Sequence, residues 1–131
     1  MIHEALYSRL KNNPGVSAIV GARVYPQKAS QGVVLPCVVY QRVGTSGRAL
    51  HHSGTTNSAL SRFQIDCWAK TPTAALQLSE AVLGCLHGWA GTEGSETIYY
   101  SQVVNTQDAF DLDTGEYVIP VDVEIFHKEI A

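Results

Sequence analysis

Leu60–Lys70 reads LSRFQIDCWAK, and its apolar residues Phe63, Ile65, Cys67 and Ala69 alternate with Arg62, Gln64, Asp66 and Lys70. Alternation at period two is the pattern of a half-buried β-strand, with one row of side chains in a core and the other facing outward. Trp68 falls on the face of Arg62 and Asp66, so that second face carries a large aromatic among charges and is expected to be covered by another element or another subunit. The strand runs into Thr71-Pro72, a side-chain cap followed by a residue suited to the first helical turn. A Gly/Ser/Thr/His segment precedes it. Strand, loop and helix therefore meet here, and an internal strand with the core on one side is predicted.

Outward from this stretch, the chain of 131 residues fits one domain, 1–131, which would bury roughly two-thirds of the surface of its unfolded form. The formal net charge of −3 and the scarcity of charged residues, 16%, argue against a general nucleic-acid binder, which needs clustered Lys and Arg to displace phosphate counterions. The same low charge suits a domain that hides surface against other subunits. Cys37, Cys67 and Cys85 are odd in number, lack CxxC spacing and sit in apolar patterns, so they read as buried thiols of a reducing compartment. No signal-peptide pattern and no apolar run of bilayer-spanning length occurs, which leads to the expectation of no membrane partner.

Ile2, Ala5, Leu6 and Leu10 have helical spacing, and Asn12-Asn13-Pro14-Gly15 stops that helix. Val16 to Val20 suggests one more helical turn, and Arg23-Val24-Tyr25-Pro26 a short extended piece. Val33 to Val43 (VVLPCVVYQRV) is a second strand, with Pro36 at an edge or at its beginning. Gly44 to Ala59 (GTSGRALHHSGTTNSA) has three glycines and few apolar residues, the composition of a long connecting loop. After Thr71, a stripe of Ala75, Leu78, Ser79, Val82, Cys85, Leu86 and Trp89 marks the main core helix. Thr97 to Asn105 is β-rich, Asp113-Thr114-Gly115 supplies a turn, and Tyr117 to His127 (YVIPVDVEIFH) is a last strand with Asp122 and Glu124 on its outward face. The expected fold is α+β: a mostly antiparallel β-sheet with two main helices packed on one face.

Candidate chemistry is sparse. His51 and His52 are adjacent, so on an extended chain they point opposite ways and read as solvated loop residues rather than metal ligands. His3, His87 and His127 fall near element ends, where an imidazole can meet water. Asp108, Asp111, Asp113 and Glu116 lack the spacing of an EF-hand and read as a solvated acidic turn. Gly44-Thr45-Ser46-Gly47 has neither the GxxxxGK[ST] nor the GxSxG pattern. No catalytic, cofactor or metal site is expected, and the chain is not expected to be an enzyme.

Several segments together resemble the tail completion proteins of long-tailed bacteriophages, also called tail terminator or tail-to-head joining proteins. They are the opening helix with Leu6 and Leu10, Gly21-Ala22-Arg23-Val24-Tyr25-Pro26, Leu35-Pro36-Cys37-Val38-Val39-Tyr40, Arg62-Phe63-Gln64-Ile65-Asp66-Cys67-Trp68-Ala69 and Val121-Asp122-Val123-Glu124-Ile125. The resemblance spans nearly the whole chain, and the order and spacing of the pieces carry it more than any single one. It implies a structural subunit of a homo-oligomeric, hexameric ring that caps the tail tube and joins it to the head or neck. Its partners would be its own copies, the tail tube protein and head or neck connector proteins, with DNA passing through the ring without sequence-specific binding. The location implied is the virion tail, assembled in the bacterial host cytoplasm. The mixed second face of the strands then offers Arg62, Asp66, Trp68, Asp122 and Glu124 as interface residues. The long loop offers Gly44, Arg48, His51, His52 and Asn57 as a docking element, ordered by a partner at assembly. Two other classes remain open at this level: a small enzyme or ligand-binding domain with a site under residues 44–59 that uses His51 or His52, and a monomeric cytoplasmic adaptor.

Overall fold

The fold is described from a computed structural model for residues 2–27, 34–49, 58–93, 96–112 and 115–128. The elements follow as α1 (Ile2–Asn12), α2 (Pro14–Val20), β1 (Val24–Pro26), β2 (Cys37–Ala49), β3 (Ser58–Ala69), α3 (Pro72–Leu86), β4 (Gly91–Glu93), β5 (Glu96–Thr106), β6 (Ala109–Asp111) and β7 (Glu116–Lys128). Sheet order is β1-β2-β3-β7-β5-β4, with β6 also paired to β7. The organising strand is β3, internal between β2 and β7. Residues 59, 61, 63, 65, 67 and 69 are all buried, whereas Leu60, Arg62, Gln64, Asp66 and Trp68 all retain exposure.

The α+β class holds, and two details of the expectation are corrected. The sheet is mixed, because β1 runs parallel to β2 while the other pairings are antiparallel. Three helices are present among the described residues, because Asn12-Asn13 ends one helix and starts the next. The Asn13 side chain accepts a hydrogen bond from the Val16 amide at 3.1 Å, with Pro14 in the first turn. Thr71 caps α3 in the same way, accepting from the Ala74 amide at 3.1 Å.

The helices cover one face of the sheet. Leu6 and Leu10 of α1, Val16 and Val20 of α2, and Leu78, Val82 and Leu86 of α3 join Phe63, Ile65, Val121, Val123 and Ile125 in a single core. Arg9 locks α1 to the end of α3: its Nε donates to the Cys85 carbonyl at 3.1 Å and its guanidinium lies 5.5 Å from the Trp89 ring centre.

The extent of the long loop is also corrected. Gly44 to Ala49 continues β2, with Gly44 opposite Arg62 and Ala49 opposite Ser58, and Ser58-Ala59 begins β3. Gly44 and Arg48 therefore belong to a strand, and His51, His52 and Asn57 lie outside the described residues. The low-apolar composition suggested a loop. The ladder to β3, itself held along its length by β7, overrides that weak local propensity.

Candidate assembly surface on the open sheet face

The face of the sheet away from the helices is the side that the sequence marks with mixed chemistry, and the ladder register lays its side chains out in rungs. Cys37, Trp68 and Val118 form one rung, Val39, Asp66 and Pro120 the next, then Gln41, Gln64, Asp122 and Asn105, then Gly44, Arg62, Glu124 and Gln102. The five expected interface residues, Arg62, Asp66, Trp68, Asp122 and Glu124, thus occupy four successive rungs of two adjacent strands. Alternation alone accounts for this, since side chains at even positions of β3 and β7 share one face.

Arg62 Nη2 donates to Glu124 Oε1 at 3.2 Å, with side chains 53% and 26% exposed, so the pair contributes at most about 1 kcal/mol to the free subunit. Gln64 Nε2 donates to Asp66 Oδ1 at 2.8 Å. Burial raises the Asp66 pKa above its ordinary value; the Gln64 hydrogen bond opposes that shift, and the nearby Asp122 charge adds to it. Asp66 and Asp122 thus lie between the Trp68 rung and the rung of the Arg62–Glu124 ion pair.

The helix-covered side holds a different group that sequence spacing did not disclose. Ser61 Oγ lies 2.8 Å from His127 Nε2, and His127 Nδ1 lies 3.1 Å from Glu96 Oε1. A carboxylate only accepts, so Nδ1 carries a proton toward Glu96, and Nε2 shares a hydrogen bond with the Ser61 hydroxyl. The expectation that His127 meets water at a strand end is therefore corrected: His127 is 4% exposed, Ser61 1% and Glu96 3%. The order hydroxyl, imidazole, carboxylate is that of hydrolytic triads. Burial of the hydroxyl keeps a substrate carbonyl away from it, so the arrangement acts as a polar tie between β3, β7 and β5. The alternation through Val121, Val123 and Ile125 already placed His127 on the buried side, and continuing Phe63 backward placed Ser61 there too.

The other candidate groups stay apart. His3 packs edge-on to Phe63 at 5.3 Å between ring centres, and burial, with Arg42 and the N-terminus, lowers its pKa. His87 caps α3 and accepts from the Val103 amide at 3.2 Å. Cys37, Cys67 and Cys85 are free and buried; desolvation pushes the thiols of Cys37 and Cys85 up to about 11 and that of Cys67 higher still. Among the described residues no cluster of His, Cys, Asp or Glu could hold a metal ion, and no helix is long and apolar enough to cross a membrane.

A short strand was missed. Part of the expected acidic turn is β6, three residues paired to Glu116–Val118 of β7, too short for periodicity to register. Phe110 of β6, Leu76 of α3 and Tyr117 of β7 line an apolar groove of about 450 Å³ with Asp108 at its margin.

Comparison with known proteins relates this arrangement to tailed phages. A chain described as "Virion of native gene transfer agent (GTA) particle" has the same fold, with a TM-score of 0.78 at 15% identity over 97% of this chain and 94% of that one. No curated protein matches the sequence. The family model described as "Tail completion protein gp17" matches residues 4–128. That match takes in every element from α1 to β7, and the chain belongs to the tail completion protein gp17 family of phage tail structural proteins.

Proposed function

We propose that the protein is a ring-forming subunit, in six copies, that closes the head-proximal end of the tail tube and joins it to the head or neck. The observation that carries this reading is the family match over residues 4–128. The open sheet face supports it, since Arg62, Asp66, Trp68, Asp122 and Glu124 present charge, amide and aromatic surface to another protein of the assembled tail. The segment from Gly44 to Ala59 is the proposed docking element for the tail tube or the connector, with Gly44 and Arg48 in β2 and with His51, His52 and Asn57 outside the described residues. DNA would pass the ring without sequence-specific contact, and assembly would occur in the host cytoplasm. No catalytic step belongs to this role.

The test removes the gene from the phage or prophage that encodes it and examines the lysate by electron microscopy. Complete heads and complete-length tails should accumulate unjoined, and added purified protein should join them. Normal virions without the protein, or particles lacking tails altogether, contradict the proposal.

A further inference from the structure

Charge is divided across this fold by strand. On β1–β3 the sheet carries Arg42, Arg48 and Arg62 against Asp66, whereas β4–β7 carry six acidic residues against Lys128 alone. The same division holds for the chain. Residues 1–70 have eight basic and two acidic side chains, +6, and residues 71–131 have one and ten, −9, which together give the net −3. Because the sheet order is β1-β2-β3-β7-β5-β4, one lateral half of the sheet is basic and the other acidic, and they meet at the β3–β7 seam, where Arg62 pairs with Glu124.

Among the described residues, parts of both outer edges repeat that complementarity. Among the described residues, β1 covers only Val38–Tyr40 of β2, which leaves the outer side of β2 open from Gln41 onward. On the acidic side β4 covers β5 at Glu96–Ile98, and the end of α3 covers it next, where the Gly88 amide donates to the Ser101 carbonyl and the Val103 amide to His87 Nδ1, so among the described residues β5 from Val104 on and β6 beyond it present an open edge. That edge is apolar, with Val104 and Phe110 37% and 47% exposed, and its charge is acidic, from the exposed Asp108 that lines the Phe110 groove. An open edge with exposed apolar side chains is a template for association. On the basic side, the irregularity between Arg42 and Gly44 sets Val43 outside the regular register, 49% exposed next to Arg42.

Resting on the ring reading above, we propose that the ring is held by a head-to-tail contact between second copies of this chain, in which the basic β2 edge around Arg42-Val43 of one copy seats against the acidic β5–β6 edge and Phe110 groove of the next. Two different surfaces in contact make a heterologous interface, which closes into a ring when its rotation divides the circle. Opposite charge sets the direction and disfavours like edges facing one another.

The experiment uses two variants of the full chain, each blocked on one edge: Arg42→Glu with Val43→Glu, and Asp108→Ala with Phe110→Ala. All four positions are exposed, and circular dichroism checks that both variants fold. Sedimentation should find closed oligomers of the wild type at about 50 mM salt, with at least about tenfold weaker association at about 500 mM, where screening is short-ranged. Each variant alone should stay monomeric, and an equal mixture should give heterodimers and nothing larger, since only one intact contact remains. Rings formed by either variant as readily as by wild type overturn the edge assignment and leave the ring reading standing. A wild type that stays monomeric overturns the ring reading and this inference with it. If a variant fails to fold, the salt dependence decides: rings equally stable at both salt concentrations overturn the electrostatic contact.

Discussion

Replacing Trp68 by Ala, set against Phe63→Ala in the same strand, separates the two faces of β3. Phe63 is 0% exposed and wholly within the core under α1, so its loss should cost about 3–5 kcal/mol of subunit stability. A fully buried Trp removes about 150–250 Å² from water, roughly 4–6 kcal/mol at about 25 cal/mol per Å². Trp68 keeps part of its surface exposed on the open face, so Trp68→Ala should fall short of that, at about 2–3 kcal/mol in the isolated subunit. The surface left exposed is what a partner would cover. Large aromatics anchor interfaces, and a further loss of about 2 kcal/mol in assembly corresponds to roughly a thirtyfold weaker contact. Urea unfolding of dilute protein measures the first quantity. Competition between mutant and wild type for incorporation into complete tails measures the second. Trp68→Ala subunits that unfold as readily as Phe63→Ala yet enter tails at par with wild type, once corrected for the folded fraction, would refute the assignment of this face to assembly.

Three further outcomes follow from named contacts. Asp66→Asn should stabilise the free subunit at neutral pH, because the amide keeps an oxygen for Gln64 while losing a desolvated charge near Asp122. The folded-state pKa is raised, so the stability of the wild type falls as pH rises above the ordinary carboxylate value, and the advantage of Asp66→Asn should grow over that interval; thermal unfolding at a series of pH values with a constant difference would contradict this. His127→Leu should cost about 2–4 kcal/mol in urea unfolding, since it breaks a buried polar tie to both Ser61 and Glu96, and a loss under about 0.5 kcal/mol would show the tie to be dispensable. Joining Ala49 to Ser58, which face each other across β2 and β3, by an Asn-Gly turn in place of residues 50–57 should leave a folded subunit that fails to complete tails; normal numbers of joined virions in micrographs would remove the docking role from residues 50–57.

Sequence legibility followed the length and regularity of each pattern. The stripe Ile2, Ala5, Leu6, Leu10 and the stripe from Ala75 to Trp89 are buried as read, because a one-sided helix has only one way to hide its apolar face. β3 and β7 were legible for the same reason at period two, which also placed the five open-face residues together. Segments of three residues, β4 and β6, carry too few positions to show a period, and β2 beyond Gly44 is extended by its neighbour rather than by its own residues. Parallel pairing of β1 with β2 depends on where two distant segments meet, which local patterns do not encode. His127 shows the cost of reading a residue by its distance from a strand end rather than by its place in the alternation. The lateral charge division became meaningful only with the strand order, since residues 1–70 and 71–131 need not have occupied opposite sides of one sheet.

The central claim is that this chain sits as a ring at the junction of tail and head. Gold-labelled antibody against the protein, imaged on intact virions and on isolated tails, tests it most directly. The label should gather at the head-proximal end of every tail and at the head–tail junction of joined particles; label distributed along the tube, or found only at the distal tip, would contradict the account.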